Sequence, residues 1–144
     1  MLVPNLLVRG VSATIASSRA VKVFVCNLMT QANESLGLTA SDHVRALYEH
    51  AGHQFFDYAL VNRTPASPQL ALKYAEKQQS QIEADVDRIE ALGVKPIIGE
   101  YLVEAEDPKE GLIARHDTHQ VAHDLLRLMM ELRESAVAAL RQES

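Results

Sequence analysis

At 144 residues with 47% hydrophobic side chains, the chain has the size of one domain and enough apolar mass to bury a core. A formal charge of −5, with lysines and arginines scattered singly, leaves no basic stripe for a nucleic-acid backbone or an anionic membrane, so neither partner is expected. The single cysteine, Cys26, cannot build a disulfide framework within the chain and fits a reducing, cytoplasmic setting.

The opening "MLVPNLLVRGVSATIASS" lacks the basic region and long apolar core of a secretory signal. No run approaches the roughly 20 apolar residues of a membrane span, so no membrane insertion is expected. Pro4 suits the first turn of a helix, and Leu6, Leu7, Val11 and Ile15 carry helical spacing to about Ser17. "VKVFVC" is a short, nearly continuous apolar run, as expected of a strand covered on both faces. Ser41 is a candidate cap for a helix whose face is Val44, Leu47, Tyr48 and Ala51, and Gly52 supplies the left-handed residue that ends it.

"DYALVN" reads as strand two. Ser67 and Pro68 open the helix "PQLALKYAEKQ", Asp85 opens "VDRIEAL", and Gly93 closes it. "VKPIIGEYLV" reads as strand three, with Pro96 near an edge or a strand end, and "EAEDPKEG" reads as a charged loop. The closing helix starts near Asp117 or Thr118 and reaches about Arg141. This alternation predicts an α/β fold: a three-layer, Rossmann-like parallel sheet with right-handed crossovers. Ligands of such sheets bind beyond the carboxyl ends of the strands, here the loops after Val25, Val61 and Val103.

The connection after strand one is longer than the usual two to six residues or so of such loops, and it places Asn27, Thr30, Gln31, Asn33, Glu34 and Ser35 at that edge. It leads into a helix N-terminus, whose free N–H groups favour an anion such as a phosphate. The competing reading is that Thr39, Ser41 and Asp42 only cap the helix, and the residues leave the two open. Asn62 ends strand two at the same edge, as a ligand contact or a turn former.

His116, His119 and His123, with Asp117 and Asp124, would form one helical row able to hold a divalent metal, but the row falls opposite the Val121, Leu125, Leu128, Leu132 stripe. An outward face is the stronger reading, and zinc is not assigned. Arg115, His116 and Asp117 fall where the third crossover ends and face the ligand edge or cap the helix. His43 stands at the edge too, whereas His50 and His53 show no ligand spacing. Cys26 reads as core. No Gly-rich phosphate loop exists, since all six glycines are isolated.

"PNLLVRGVSATIASSRAVKVFVCNLMTQANESLGLTASDHV", with "DYALVN" and "ARHD", resembles the carboxyl-terminal portion of the gluconeogenesis factor family, the YvcK type within the YvcK/CofD-like group. The resemblance runs from Pro4 through the closing helix. Its most specific piece is Asn27-x-Met29-Thr30-Gln31 with Ala40-Ser41-Asp42-His43 a few residues later. Where the family reads Pro-Gly-Glu-Thr after Thr-Gln, this chain has Ala32, Asn33, Glu34 and Ser35, so the left-handed turn falls to Asn33 and the hydroxyl is kept.

The resemblance implies a nucleotide-handling Rossmann-like protein that binds UDP-sugars or another phosphorylated nucleotide ligand, with a role in carbon metabolism or cell shape. The alternative it implies is a CofD-type 2-phospho-L-lactate transferase of deazaflavin coenzyme biosynthesis, using a divalent metal; no other cofactor is expected. A third reading is a domain whose role is association alone. On the resemblance Asn5, Asn27, Thr30, Gln31, Glu34, Ser41, Asp42 and His43 line the site, with Asn62, Arg115, His116 and Asp117 nearby. The family's Gly-rich loop lies upstream of the resembling stretch, so the chain looks like the carboxyl-terminal half of a larger domain. A second apolar ridge on the closing helix, Leu126, Met130 and Val137, leads us to expect a homo-oligomer contact or packing against that other half, the dimer being favoured.

Overall fold

The computed structural model describes residues 8, 10–32 and 34–142, so Asn5, Asn33 and the expected helix start at Pro4 lie outside the described residues. In chain order the elements are α1 (Val11–Ser17), β1 (Val23–Val25), α2 (Ala40–Ala51), β2 (Tyr58–Asn62), α3 (Pro68–Ala75), α4 (Val86–Ala91), β3 (Lys95–Gly99), β4 (Leu102–Asp107), β5 (Gly111–His116) and α5 (Thr118–Gln142).

β1, β2 and β3 form one parallel sheet in that spatial order, with Phe24 beside Ala59 and Leu60 beside Ile97. Strand alternation sorts β2 onto two faces. Ala59 and Val61 join Phe24, Val44, Leu47, Ile89 and Val94 on the side of α2 and α4, whereas Leu60 joins Leu28, Leu70 and Tyr101 on the other, where Val121 and Leu125 of α5 pack. The fold is therefore the expected α/β arrangement, helices on both faces of a parallel sheet. Pro96 fits because β3 is an outer strand: Lys95 N–H turns inward to the Asp57 carbonyl, so the next nitrogen, which lacks a hydrogen, faces outward.

The expected single third strand is corrected. β3 stops at Gly99, and β4 pairs antiparallel with β5 from Leu102–His116 to Asp107–Gly111, so "EAEDPKEG" is part of a hairpin rather than a bare loop. Its turn is fixed by the Asp107 carboxylate, which accepts the Lys109 and Glu110 N–H groups, and by Gly111 at φ 67°. The third loop of the ligand edge thus begins after Gly99, not after Val103. In α5, Leu128 is buried and Val121 and Leu125 are partly covered, while Leu126, Met129, Met130 and Val137 stay exposed. No helix among the described residues is long and apolar enough to cross a membrane.

Candidate functional site

The site grows from the segment that leaves β1. Met29 bridges to Gln81, Ile82 N–H donates to the Leu28 carbonyl, and Thr30 N–H donates to the Ser80 carbonyl, so this connection is tied down rather than loose. Thr30 itself is 1% exposed; its hydroxyl accepts from Ser80 N–H at 2.9 Å, and its carbonyl accepts from the Gln79 amide. It is a strut of this connection, and it also borders the more polar of the two clefts described below. Beyond it, Gln31 N–H donates to the Ser35 hydroxyl and Ser35 N–H returns to the Gln31 carbonyl, a closed turn that leaves the Gln31 and Glu34 side chains exposed.

The N-terminus of α2 comes next. Thr39, not Ser41, is the cap: it forms a capping box with Asp42, whose carboxylate takes the Thr39 N–H at 3.0 Å. Ala40 N–H goes to the Glu83 carbonyl, and Ser41 N–H goes to Asp85 at 2.9 Å. Asp85 also accepts both the Thr39 and the Ser41 hydroxyls. Burial acts to raise the Asp85 pKa, but these hydrogen bonds outweigh it and hold the carboxyl below its ordinary value. The first N–H groups of α2 are therefore taken, in the company of two carboxylates. These N–H groups are not free for an anion, and buried Ser41 and half-buried Asp42 hold the helix start. Asp85 is the partner that sequence reading missed, because its only visible role was to open the next helix.

His43, one turn in, is different. Its Nδ1 lies 2.8 Å from the Thr39 carbonyl, which only accepts, so Nδ1 carries the hydrogen. In the neutral ring that leaves Nε2 as an acceptor, and it is buried without a hydrogen-bond partner among the described residues. His43 borders a cavity of about 610 Å³ beside β1, shared with Asn27, Gln31, Glu34 and Ser35 at the polar end and with Leu38, Ala46 and Leu47 on the apolar wall. Asn27 and Gln31 also line a neighbouring, more polar cleft with Lys77, Gln79 and His116.

The remaining expected residues separate. Asn62 holds backbone: its Oδ1 accepts N–H groups of Tyr101, Leu102 and Thr64, and its Nδ2 donates to the Thr64 carbonyl. Arg115 and His116 stand in β5, not at a helix start. Arg115 is exposed and pairs with Asp107 at 3.4 Å, whereas His116 Nε2 lies 2.9 Å from the Cys26 carbonyl and borders the second cleft. Asp117 caps α5 by accepting the N–H groups of His119 and Gln120. His116 is in a strand and so outside the helical row, and His119 and His123 are exposed on α5, the outward face that is the stronger reading of the sequence. Among the described residues no group of three His, Cys, Asp or Glu side chains converges that could hold a metal ion. Cys26 is core, its thiol pushed up to about 12 by burial and then by the charge of Asp85.

Parallel sheet, helices on both faces and a polar turn at the carboxyl end of β1 define a Rossmann-like α/β protein. The chain belongs to the CofD family: the family described as 2-phospho-L-lactate transferase CofD matches residues 2–102. It is similar to the gluconeogenesis factor of Bacillus subtilis (35% identical over 130 residues, 90% of this chain and 39% of that protein). It is likewise similar to that of Halalkalibacterium halodurans (37% identical, 87% of this chain and 37% of that protein). A crystal structure of a UPF0052 family member from Bacillus halodurans superposes with a TM-score of 0.77 at 36% identity, over 86% of this chain and 38% of that one. The chain thus spans about two fifths of the length of these relatives.

Proposed function

We propose that the chain is the carboxyl-terminal portion of a gluconeogenesis-factor-like fold of the YvcK type. In this reading its strand edge binds a nucleotide sugar, a UDP-sugar, in the control of carbon metabolism or cell morphogenesis. The observation that carries it is the buried, unpartnered Nε2 of His43 beside a cavity whose polar end is Asn27, Gln31 and Glu34. A buried acceptor without a donor costs about 1–3 kcal/mol, and a turn of the His43 ring that opens Nε2 to the cavity lets a sugar hydroxyl or a ring N–H of the ligand supply that donor. Among the described residues no Lys or Arg lines this cavity, so in this reading it takes the uncharged part of the nucleotide sugar; Lys77 lines the adjoining cleft, which shares Asn27 and Gln31 with it.

The test is calorimetry with UDP-N-acetylglucosamine or UDP-glucose on this chain fused to the portion of the Halalkalibacterium halodurans relative that it does not match. We expect saturable heat with Kd below about 1 mM, some 4 kcal/mol of binding, weakened about tenfold by His43→Ala. Absence of heat at millimolar ligand would overturn the reading. The family description over residues 2–102 favours a second reading, a CofD-like phospholactyl transferase. Phospholactyl transfer by the same fusion, without UDP-sugar heat, would establish it instead.

A further inference from the structure

α5 carries apolar side chains on two opposite sides. Val121 and Leu125 pack toward the sheet, and Leu128 is buried on the same side. At about 100° per residue, Leu126, Met130 and Val137 fall within roughly 20° of the line diametrically opposite Leu128. This back ridge is exposed, Leu126 and Met130 to more than half of their surface. Past Leu132 the helix leaves the body, and every residue from Arg133 to Gln142 is exposed. A helical segment of roughly ten residues with so little burial is marginal in water on its own.

The ridge has the spacing of a coiled-coil seam, since Leu126, Met130, Arg133 and Val137 follow one another at four, three and four residues. An antiparallel two-fold pair centred between Glu131 and Leu132 sets Leu126 against the second copy's Val137, and Met130 against its Arg133. The Arg133 stem then lies along apolar surface while its head reaches water. Arg127 and Glu134 flank one side of the seam a heptad apart, so in this register each meets the other across the axis, twice by symmetry. On the other flank exposed Met129 meets Ala136.

Charge argues against the alternatives. Shifted one heptad, the pair sets Glu134 against Glu134 and Arg127 against Arg141; shifted the other way, it sets Arg127 against Arg127. A parallel pair sets Arg133 against Arg133 within the seam. The ridge thus supplies the apolar contact, and the charges select its direction and register.

We propose that the back of α5 is a self-association surface whose occupant is the α5 of a second copy of this chain, antiparallel and in that register. Because the ridge lies opposite the sheet-facing stripe, the two bodies sit on the outer sides of the helix pair and do not collide. The exposed end of each helix is covered by the first half of the other. The association does not depend on what the strand edge binds.

The experiment is sedimentation equilibrium of the full chain, followed by cysteine pairing. We expect twice the 15.9 kDa of one chain at tens of micromolar. Met130→Glu changes an exposed residue, so it should keep the circular dichroism of the wild type and weaken the dimer at least tenfold. Leu126→Cys and Val137→Cys chains, mixed, should join through a short thiol cross-linker. Either variant alone should not, because its two copies of the substituted position stand about 16 Å apart along the pair. The wild type, whose Cys26 is buried, gives the background. A wild-type monomer at these concentrations would overturn the proposal, whether or not the ridge then takes up some other polypeptide. So would a dimer undiminished by folded Met130→Glu, or self-cross-linking of either single variant in place of the mixture, which marks a parallel pair. None of these readouts involves a nucleotide, so their failure is distinct from failure to bind a UDP-sugar.

Discussion

The Tyr101 hydroxyl donates to the Asp124 carboxylate at 2.8 Å, and both residues are buried, at 1% and 5% exposure. The bond joins the link after β3 to the face of α5 against the sheet. Gln120 and His123 complete the carboxylate's set, and Arg127 stands 3.8 Å away. Tyr101→Phe removes the one donor that comes from outside α5. A bond to a buried charge contributes about 1.5–3 kcal/mol, so the urea midpoint should fall by that equivalent with the slope unchanged. An unchanged midpoint would mean that α5 is held by its apolar stripe alone.

Gly99 is required by the same ring. A Cβ at this position would stand 2.3 Å from the Tyr101 ring, closer than packing permits, and the ring is enclosed. Gly99→Ala should therefore destabilise by at least the 1–3 kcal/mol or so typical of overpacking. In a Tyr101→Ala background the same substitution should cost much less. A double-mutant cycle reads the difference, and additive effects would place the strain elsewhere.

Two buried carboxylates should contribute to the acid sensitivity of stability. Burial acts to raise the pKa of Asp124, and the bonds from Tyr101, Gln120 and His123 outweigh it; in Asp85 the bonds from Ser41 and Thr39 do the same. Both folded values lie below the ordinary carboxylate value of about 4. Each group therefore contributes stability that is complete above the unfolded value and is lost as pH falls through the folded one. Chemical denaturation between neutral pH and about pH 2 should show this decline, and Asp85→Asn or Asp124→Asn should make it shallower. An equally steep decline in both variants would assign acid sensitivity to other groups.

What the sequence disclosed depended on how far each residue's partner lies along the chain. β1, β2 and the end of α2 at Gly52, which has φ 75°, follow from local pattern, and they stand as expected. Thr30 and Asn62 read as open polar groups, because Ser80 and Tyr101, which occupy them, come from distant segments. The β4–β5 hairpin was hidden because Pro108 and a run of charges masked its alternation. Of the expected site, Asn27, Gln31, Glu34 and His43 are brought to one cavity, while Asp42, Asn62 and Asp117 hold backbone N–H groups and Ser41 is itself held by Asp85.

Thr30 and Gln31, neighbours in sequence, should therefore fail differently. Thr30→Ala leaves the Ser80 N–H without its side-chain acceptor and should lower stability by about 1–2 kcal/mol. Gln31→Ala removes an exposed side chain from the rim of both cavities and should leave the melting curve near that of the wild type while weakening the nucleotide-sugar binding proposed above. The paired measurements are thermal unfolding and calorimetry on the completed fold. Reversal of the two phenotypes would return Thr30 to the ligand.

Cys26 gives a probe of the core. Its thiol is 3% exposed and its pKa is pushed up to about 12, first by burial and then by the Asp85 carboxylate. Only the thiolate attacks an aromatic disulfide reagent, and near pH 8 a thiol with that pKa is ionised to the order of one part in ten thousand, against a substantial fraction in an unfolded chain. Labelling in native buffer should consequently be slow and limited by opening of the Phe24–Val44 core, accelerating in step with the urea transition. Asp85→Asn, which removes the second cause of the shift, should speed native labelling only as far as it lowers global stability. Fast native labelling, independent of urea, would show that the β1 end of the core opens locally.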